Sequence, residues 1–321
     1  MCAEDRLALR LAIARLSFLS FAEKKLLEKK LDTVSRLALL SIDDLSFAIG
    51  RVINTRMWKP DVIEKRAERD MRLMEVLHIG CMFYDDDRRP PLLDEIYDPP
   101  FALFYRGNPA VLSKPCAAVV GTRRPTGNGM RCTRELAFEL AEAGFTVVSG
   151  LALGTDACAH AGTLLSSKGK TAAVLGSGVD TVSPASNKKL AASLLEAGGC
   201  IVGEYAPETA AEKWHFPQRN RLISALSLVT VVTEAPAGSG ALITADFALE
   251  QNRELCFHEC ALSYPAVSAG AAETAEHTGE RTQKRAQKRA KAGKEYRSVD
   301  RYIEEGARLI KNANDVIALL T

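Results

Sequence analysis

Between residues 117 and 260 the chain alternates short, β-rich apolar runs with segments of helical length, and this alternation restricts the possible folds more than any other feature. The apolar runs are AAVV (117–120), TVVS (146–149), TAAVLG (171–176), CIVGEY (200–205), LVTVVTEA (228–235) and ELCFHE (254–259). Helices are predicted near 129–143, 156–167, 187–197, 218–226 and 241–252. Six strands alternating with five helices require a parallel sheet covered on both faces, because each crossover lays a helix against the sheet. Right-handed crossovers make it a doubly wound, Rossmann-like α/β sheet, mainly parallel, with ligands expected beyond the carboxyl ends of the strands.

The flanking segments read differently. Residues 1–75 are predicted helical, with apolar residues at helical spacing (Leu7, Leu11, Ile13, Ala14; Leu26, Leu27, Leu31; Leu37, Leu40, Leu45, Ile49). Ser20 and Ser41 precede such runs as N-caps, the second followed by Asp43 and Asp44. This is a small module of helix-hairpin-helix or SAM-like kind. Residues 76–116 form a connecting segment rich in proline and acid, where prolines oppose regular structure and only Phe101–Tyr105 reads as an edge strand. Residues 261–297 are low in complexity and hold eight Lys or Arg between 281 and 297, which reads as a flexible linker or a solvated helix, with nucleic-acid contact as the alternative. A last helix is predicted over 298–321.

Four of the strand-to-helix turns are rich in glycine and share one edge of the sheet. They are Gly121-Thr122-Arg123 through Gly129, Gly150 through Asp156, Ser177-Gly178, and Pro236 through Gly240. Glycine lets backbone N–H groups approach a ligand closely, and a helix N-terminus offers free donors and partial positive charge to an anion such as phosphate. Arginine sharpens that reading. Arg123 stands at the mouth of the sheet, and Arg219 and Arg221 sit in the first turns of a helix, where a cation opposes the helix dipole unless a negative ligand is present. The competing explanation is internal ion pairing of Arg219 or Arg221 with Glu204 or Glu234. Phe216 suits stacking on a base, with core packing as its alternative.

Other chemistries find little support. No G-x-G-x-x-G follows the first strand and no G-K-[ST] occurs, which disfavours NAD binding and ATP hydrolysis and leaves no cofactor indicated. Eight cysteines include no C-x-x-C, and Cys256 and Cys260 have no second pair to complete a metal site, so no metal is assigned. Asp156 and His160 are four apart on one helix, a spacing better explained by a local hydrogen bond than by catalysis. Ser239 stands in G-S-G without a nucleophile elbow. The N-terminus lacks an apolar h-region, and no run of about 18 apolar residues is present, so a cytoplasmic location without membrane association is expected. The net charge of +2 gives no global sign of a nucleic-acid partner, so any basic site must be local.

The runs AVVGTRRPTGNG, VVSGLALGTDACAH, TAAVLGSGVDTVSP, FPQRNRLISALS and VVTEAPAGSGALITADFALEQNRE, preceded by DPPFALFYRGN at 98–108, resemble the DNA-processing protein A (DprA/Smf) family. The resemblance implies an extended Rossmann-like fold, sequence-independent binding of single-stranded DNA, homodimerisation, and delivery of the recombinase RecA onto that DNA in transformation or recombination. It implies no catalysis. Carried over residue by residue, it gives Gly121, Thr122 and Arg123 as phosphate contacts and Ser149 and Gly150 as pocket lining. It adds Phe216, Arg219, Asn220 and Arg221 from the FPxRNR segment, and Ser239 and Gly240 from the last turn. The chain departs from the family pattern after Glu259, where a Val-Pro-Gly turn is expected and FHECALSYP stands. After Gly306-Ala307 too few residues follow for the winged helix of some members. The alternative reading is a nucleotide phosphoribohydrolase of the lysine-decarboxylase-like (LOG) group. It requires a catalytic glutamate after the late glycine turn, and that position holds none.

Overall fold

The computed structural model describes residues 3–264 and 297–321. Most of the basic stretch at 281–297 lies outside the described residues. The core is a nine-stranded sheet in the order β1-β2-β6-β5-β4-β3-β7-β8-β9. Its strands are β1 (Gly80–Phe83), β2 (Ala102–Gly107), β3 (Cys116–Val120), β4 (Thr146–Ser149), β5 (Lys170–Val174), β6 (Cys200–Gly203), β7 (Val229–Val232), β8 (Glu254–His258) and β9 (Arg308–Ile310). All six strands read from the apolar runs are present and pair in parallel, and β9 extends the parallel part.

Helices cover both faces. Around the parallel strands lie α6 (Gly127–Glu142), α7 (Thr155–Thr163), α8 (Lys188–Glu196), α9 (His215–Ala225) and α10 (Gly240–Glu250). The alternation within β3 sorts the cores. Ala117 and Val119 pack with Leu136, Leu140 and Val316, whereas Ala118 and Val120 pack with Leu222, Ile223 and Leu242. The chain runs outward from β3 to β6 and then returns to place β7 on the other side of β3. The strand order therefore reverses between β3 and β7, the point where open α/β sheets form their ligand crevice.

Two flanking expectations are corrected. The proline-rich segment is not a simple connector with an edge strand. Its β2 lies inside the sheet, antiparallel to both β1 and β6. Proline-led 3-10 turns at Pro91–Asp94 and Pro109–Ser113 flank the strand, so the prolines shape its ends and the ladder stays intact. The single C-terminal helix is likewise replaced by α11 (Val299–Glu304), strand β9 and α12 (Ala313–Leu320). Gly306 (φ 106) turns the chain between α11 and β9, and Asn312 caps α12.

The N-terminal segment forms α1 (Ala3–Ala14), α2 (Phe21–Lys30), α3 (Val34–Ala38), α4 (Ile42–Ile49) and α5 (Ile63–Val76). Ser20 and Ser41 each complete a reciprocal capping box, with Glu23 and Asp44. Leu9, Leu11, Ile13 and Leu27 share one hydrophobic cluster with Phe83, Phe101, Phe104 and Ile201, so this module packs onto the β1-β2-β6 side of the sheet.

Candidate nucleic-acid interface

A cleft of 620 Å³ opens at the reversal point between β3 and β7. Four segments meet there: the turn after β3 (Gly121, Thr122, Arg123), the turn after β4 (Ala152, Asp156), the start of α9 (Phe216, Pro217, Arg219, Asn220) and the start of α10 (Ser239, Gly240, Ala241). The glycine turn after β5 does not reach it. The Ser177 hydroxyl donates to Thr181 O within that loop, and the Gly178 N–H donates to Thr209 O, which ties the loop to the segment after β6.

The β3 turn is held by the neighbouring β7 turn. The Thr122 N–H donates to Glu234 O (2.6 Å), and the Glu234 carboxylate accepts from the Thr126 N–H (2.8 Å) and hydroxyl (2.6 Å). Thr126 in turn caps α6 by accepting from the Gly129 N–H. Glu234 is therefore a brace for the turn and not a partner of Arg219 or Arg221. It also occupies the Thr122 amide, which is not free for phosphate. The Arg123 side chain is exposed, forms no hydrogen bond or ion pair among the described residues, and lies over the Phe216 ring at 5.5 Å. Phe216 is half-buried on the cleft wall and not in the core.

Arg219 and Arg221 diverge. Two residues apart on α9, their side chains leave about 200° apart around the axis. Arg219 turns inward, donating to Gly150 O (2.8 Å) and to Val174 O, beside Asp156. Asp156 Oδ2 accepts from the Gly150 and Ala152 N–H groups. A methyl group on Gly150 would lie 2.6 Å from Arg219 Nη2 and 2.7 Å from Asp156 Oδ2, so only glycine leaves room for this pair. Burial pushes the Arg219 guanidinium down to about 10; Asp156 opposes that shift and the neighbouring Arg123 charge adds to it. Arg219 stays cationic at neutral pH, and two adjacent cations repel until an anion comes between them. Burial also pushes the Asp156 carboxyl up, against the charge of Arg219 and the two amides.

Arg221 faces away from the cleft. It ion-pairs with Glu204, donates to Asp98 O (2.7 Å) and lines a separate cavity of 810 Å³ beside the N-terminal helices. Its predicted role as a phosphate contact gives way to the alternative of an internal ion pair. Ser149 is fully buried and its hydroxyl donates to Val119 O, so it braces β3 rather than lining the cleft. Gly150 lines a small recess next to the cleft together with Arg123, Phe216 and Arg219. Ser239 stands at the N-cap position of α10, but its buried hydroxyl makes no cap bond and has no hydrogen-bond partner among the described residues. Asn220 reaches across to Gly240 O (3.1 Å) and ties α9 to α10. His160 is buried against Thr171 of β5 (2.6 Å), whereas Asp156 bonds the Gly150 and Ala152 amides, so the expected local bond between the two gives way to a bond across to the sheet.

Sequence reasoning missed Lys213, an exposed cation on the cleft rim. Its signal was present three residues before Phe216. The cleft wall facing α9 comes from α10, with Ile243 and Thr244, so the departures after Glu259 do not touch the described lining.

The sequence profile of the family described as DNA recombination-mediator protein A matches residues 80–321. The chain belongs to this family. Among curated relatives, a DNA processing protein DprA of Bacillus subtilis is 42% identical over 167 residues, 52% of this chain and 56% of the relative. A Protein Smf of Borreliella burgdorferi is 35% identical over 241 residues, 75% of each. The alignments span about half the length of some relatives, 44% for a Synechocystis Protein Smf. The X-ray structure of DNA processing protein A from Streptococcus pneumoniae superposes with a TM-score of 0.66 at 29% identity, over 96% of this chain and 95% of that one. A Helicobacter pylori DNA processing protein A, solved in work on its single-stranded DNA binding mode, gives 0.51 at 32% identity, over 56% and 80%. These agree with the mostly parallel α/β fold.

Proposed function

We propose that the cleft binds the phosphodiester backbone of single-stranded DNA independently of sequence, and that the protein, as a cytoplasmic homodimer, delivers RecA onto the bound strand during DNA uptake or recombination. The observation that carries the binding reading is Arg123. It is an exposed guanidinium with no ion-pair partner among the described residues, beside the buried cation Arg219, at the carboxyl edge where β3 and β7 diverge. The first turns of α9 and α10 open onto the same space, and a helix start carries partial positive charge that favours an anion. Phe216 adds a flat apolar face for a base, which every base can use. Recognition of backbone and ring faces carries no sequence information. Gly121, Arg123, Phe216, Arg219, Asn220, Ser239 and Gly240 are the proposed contacts, with Thr122 and Gly150 shaping the turns.

Binding fits this site better than bond cleavage. Asp156 is the only carboxylate lining the cleft among the described residues, and it is already held by two backbone amides. No described helix is long and apolar enough to cross a membrane. Competition binding decides the DNA reading: an unlabelled single strand should displace a labelled oligonucleotide far better than duplex of the same sequence. Equal displacement refutes it. For the delivery step, the protein should shorten the lag of RecA ATPase on strands coated with single-strand-binding protein, and an unchanged lag removes that part. Release of free base from a nucleoside monophosphate would instead restore the phosphoribohydrolase reading.

A further inference from the structure

The sequence assigned no metal, because Cys256 and Cys260 have no second pair. The fold supplies different companions for Cys260. Cys132 on α6, His258 at the end of β8 and Cys260 in the following 3-10 turn are all buried, and their ligand atoms lie within 4.8 Å of one another. We propose that Cys132, His258 and Cys260 form a structural site for a thiophilic divalent cation of the Zn²⁺ class.

The donor set fits that ion. His258 Nε2 stands 2.9 Å from Lys311 O, which only accepts, so Nε2 carries the proton and Nδ1 the lone pair. Ligating histidines are oriented in this way, one ring N–H fixed on a carbonyl and the other nitrogen presented to the metal. Nδ1 accepts the Cys260 N–H (3.1 Å), a bond that metal ligation replaces. The cation displaces the two thiol protons to solvent, and two thiolates with a neutral imidazole leave the buried site with no net charge. Without a cation the same burial, with the Cys132 thiol alongside, holds the Cys260 thiol well above its usual range. Oxygen donors stand close by for the fourth position: Thr233 O is 3.0 Å from Cys260 Sγ, and Asn128 Oδ1 is 3.7 Å from Cys132 Sγ. Asn128 and Arg131 are exposed beside Cys132 and mark the approach from solvent.

The site joins α6 to the segment after β8, where FHECALSYP departs from the family turn. Its consequence is structural: the cation fixes α6 one residue before Thr133, whose hydroxyl bonds Thr233 at the end of β7.

The test uses the full chain, reduced, stripped with a chelator and titrated with Co²⁺, then with Zn²⁺ in competition. One Co²⁺ per chain should bind with thiolate charge-transfer absorption, and one equivalent of Zn²⁺ should abolish the spectrum. Cys132→Ser and Cys260→Ser should each weaken binding by about 100-fold or more, whereas Cys81→Ser, outside the cluster, should not. Far-UV circular dichroism checks that the variants fold; if one does not, the wild-type cobalt spectrum still decides thiolate ligation. The proposal is overturned by an absence of binding, by cobalt bound without charge transfer, or by unchanged affinity in both folded serine variants.

Discussion

Alanine substitution of Arg123 and Arg221, one at a time, separates the two roles that the structure gives to arginines of the same sequence neighbourhood in space. Arg123 is exposed and bonded to nothing in the described protein, so Arg123→Ala should leave the melting temperature within about 1 °C, as exposed substitutions usually shift stability by no more than about 0.5 kcal/mol. A charge-assisted hydrogen bond to phosphate contributes about 1.5 kcal/mol at the solvent-exposed end of its range, which predicts a roughly tenfold rise in Kd. Loss of one phosphate contact should also flatten the slope of log K against log salt by about 0.7. Arg221→Ala should behave in the opposite way. The Arg221 and Glu204 side chains are 7% and 20% exposed, so removing the cation strands a carboxylate in a largely dry site. Breaking such a pair costs about 3 kcal/mol, which is a fall of about 6 °C in Tm for a chain of this size class. Below that temperature the variant should bind DNA with an unchanged salt slope. The assay is fluorescence anisotropy with a labelled oligothymidine at three or more salt concentrations, alongside thermal melts. An Arg123→Ala variant with unaltered affinity and slope, or an Arg221→Ala variant that loses affinity at an unchanged Tm, would refute the assignment.

Gly150→Ala should both destabilise the fold by about 1–3 kcal/mol and weaken DNA binding, because the new methyl displaces Arg219 and Asp156 together; a urea midpoint at the wild-type value would contradict that packing. Thr126→Ala should cost about 1 kcal/mol in the same assay, through loss of the α6 cap and of its bonds to Glu234. Burial lowers the His160 pKa from 6.5 to about 3, so the unfolded chain holds one more proton than the folded chain between those values. The His160 contribution is therefore complete above about pH 6.5 and is lost as pH falls, at up to about 1.4 kcal/mol per pH unit. His160→Gln should flatten the pH dependence of stability between pH 6.5 and 4, and an unchanged slope argues that the imidazole is not held neutral.

What could be read along the chain was what depends on neighbours in the chain. Strand and helix periods, the N-caps at Ser20 and Ser41 and the glycine turns all follow from residues within a few positions of each other, and the structure shows the two caps, and the elements between 117 and 260, where the periodicity put them. The site's position at one edge of the sheet followed too, since parallel strands put every strand-to-helix turn on that edge. The destinations of individual side chains did not follow. Arg219 and Arg221 are equivalent on paper, but a two-residue step on a helix points them to opposite sides, and what lies on each side comes from β5, β6 and the β4 turn. The inner place of β2 depends on its pairing with β6, nearly a hundred residues later, while the prolines on either side of it argued for an edge strand in a connector. Cys132 meets His258 and Cys260 only because α6 packs beside the end of β8. The sequence by itself determined a doubly wound sheet with glycine-rich turns along one edge, because those are local consequences of periodicity and glycine. Only the tertiary structure decided which arginine is free for a ligand, because an ion pair is a contact between residues that the chain keeps far apart.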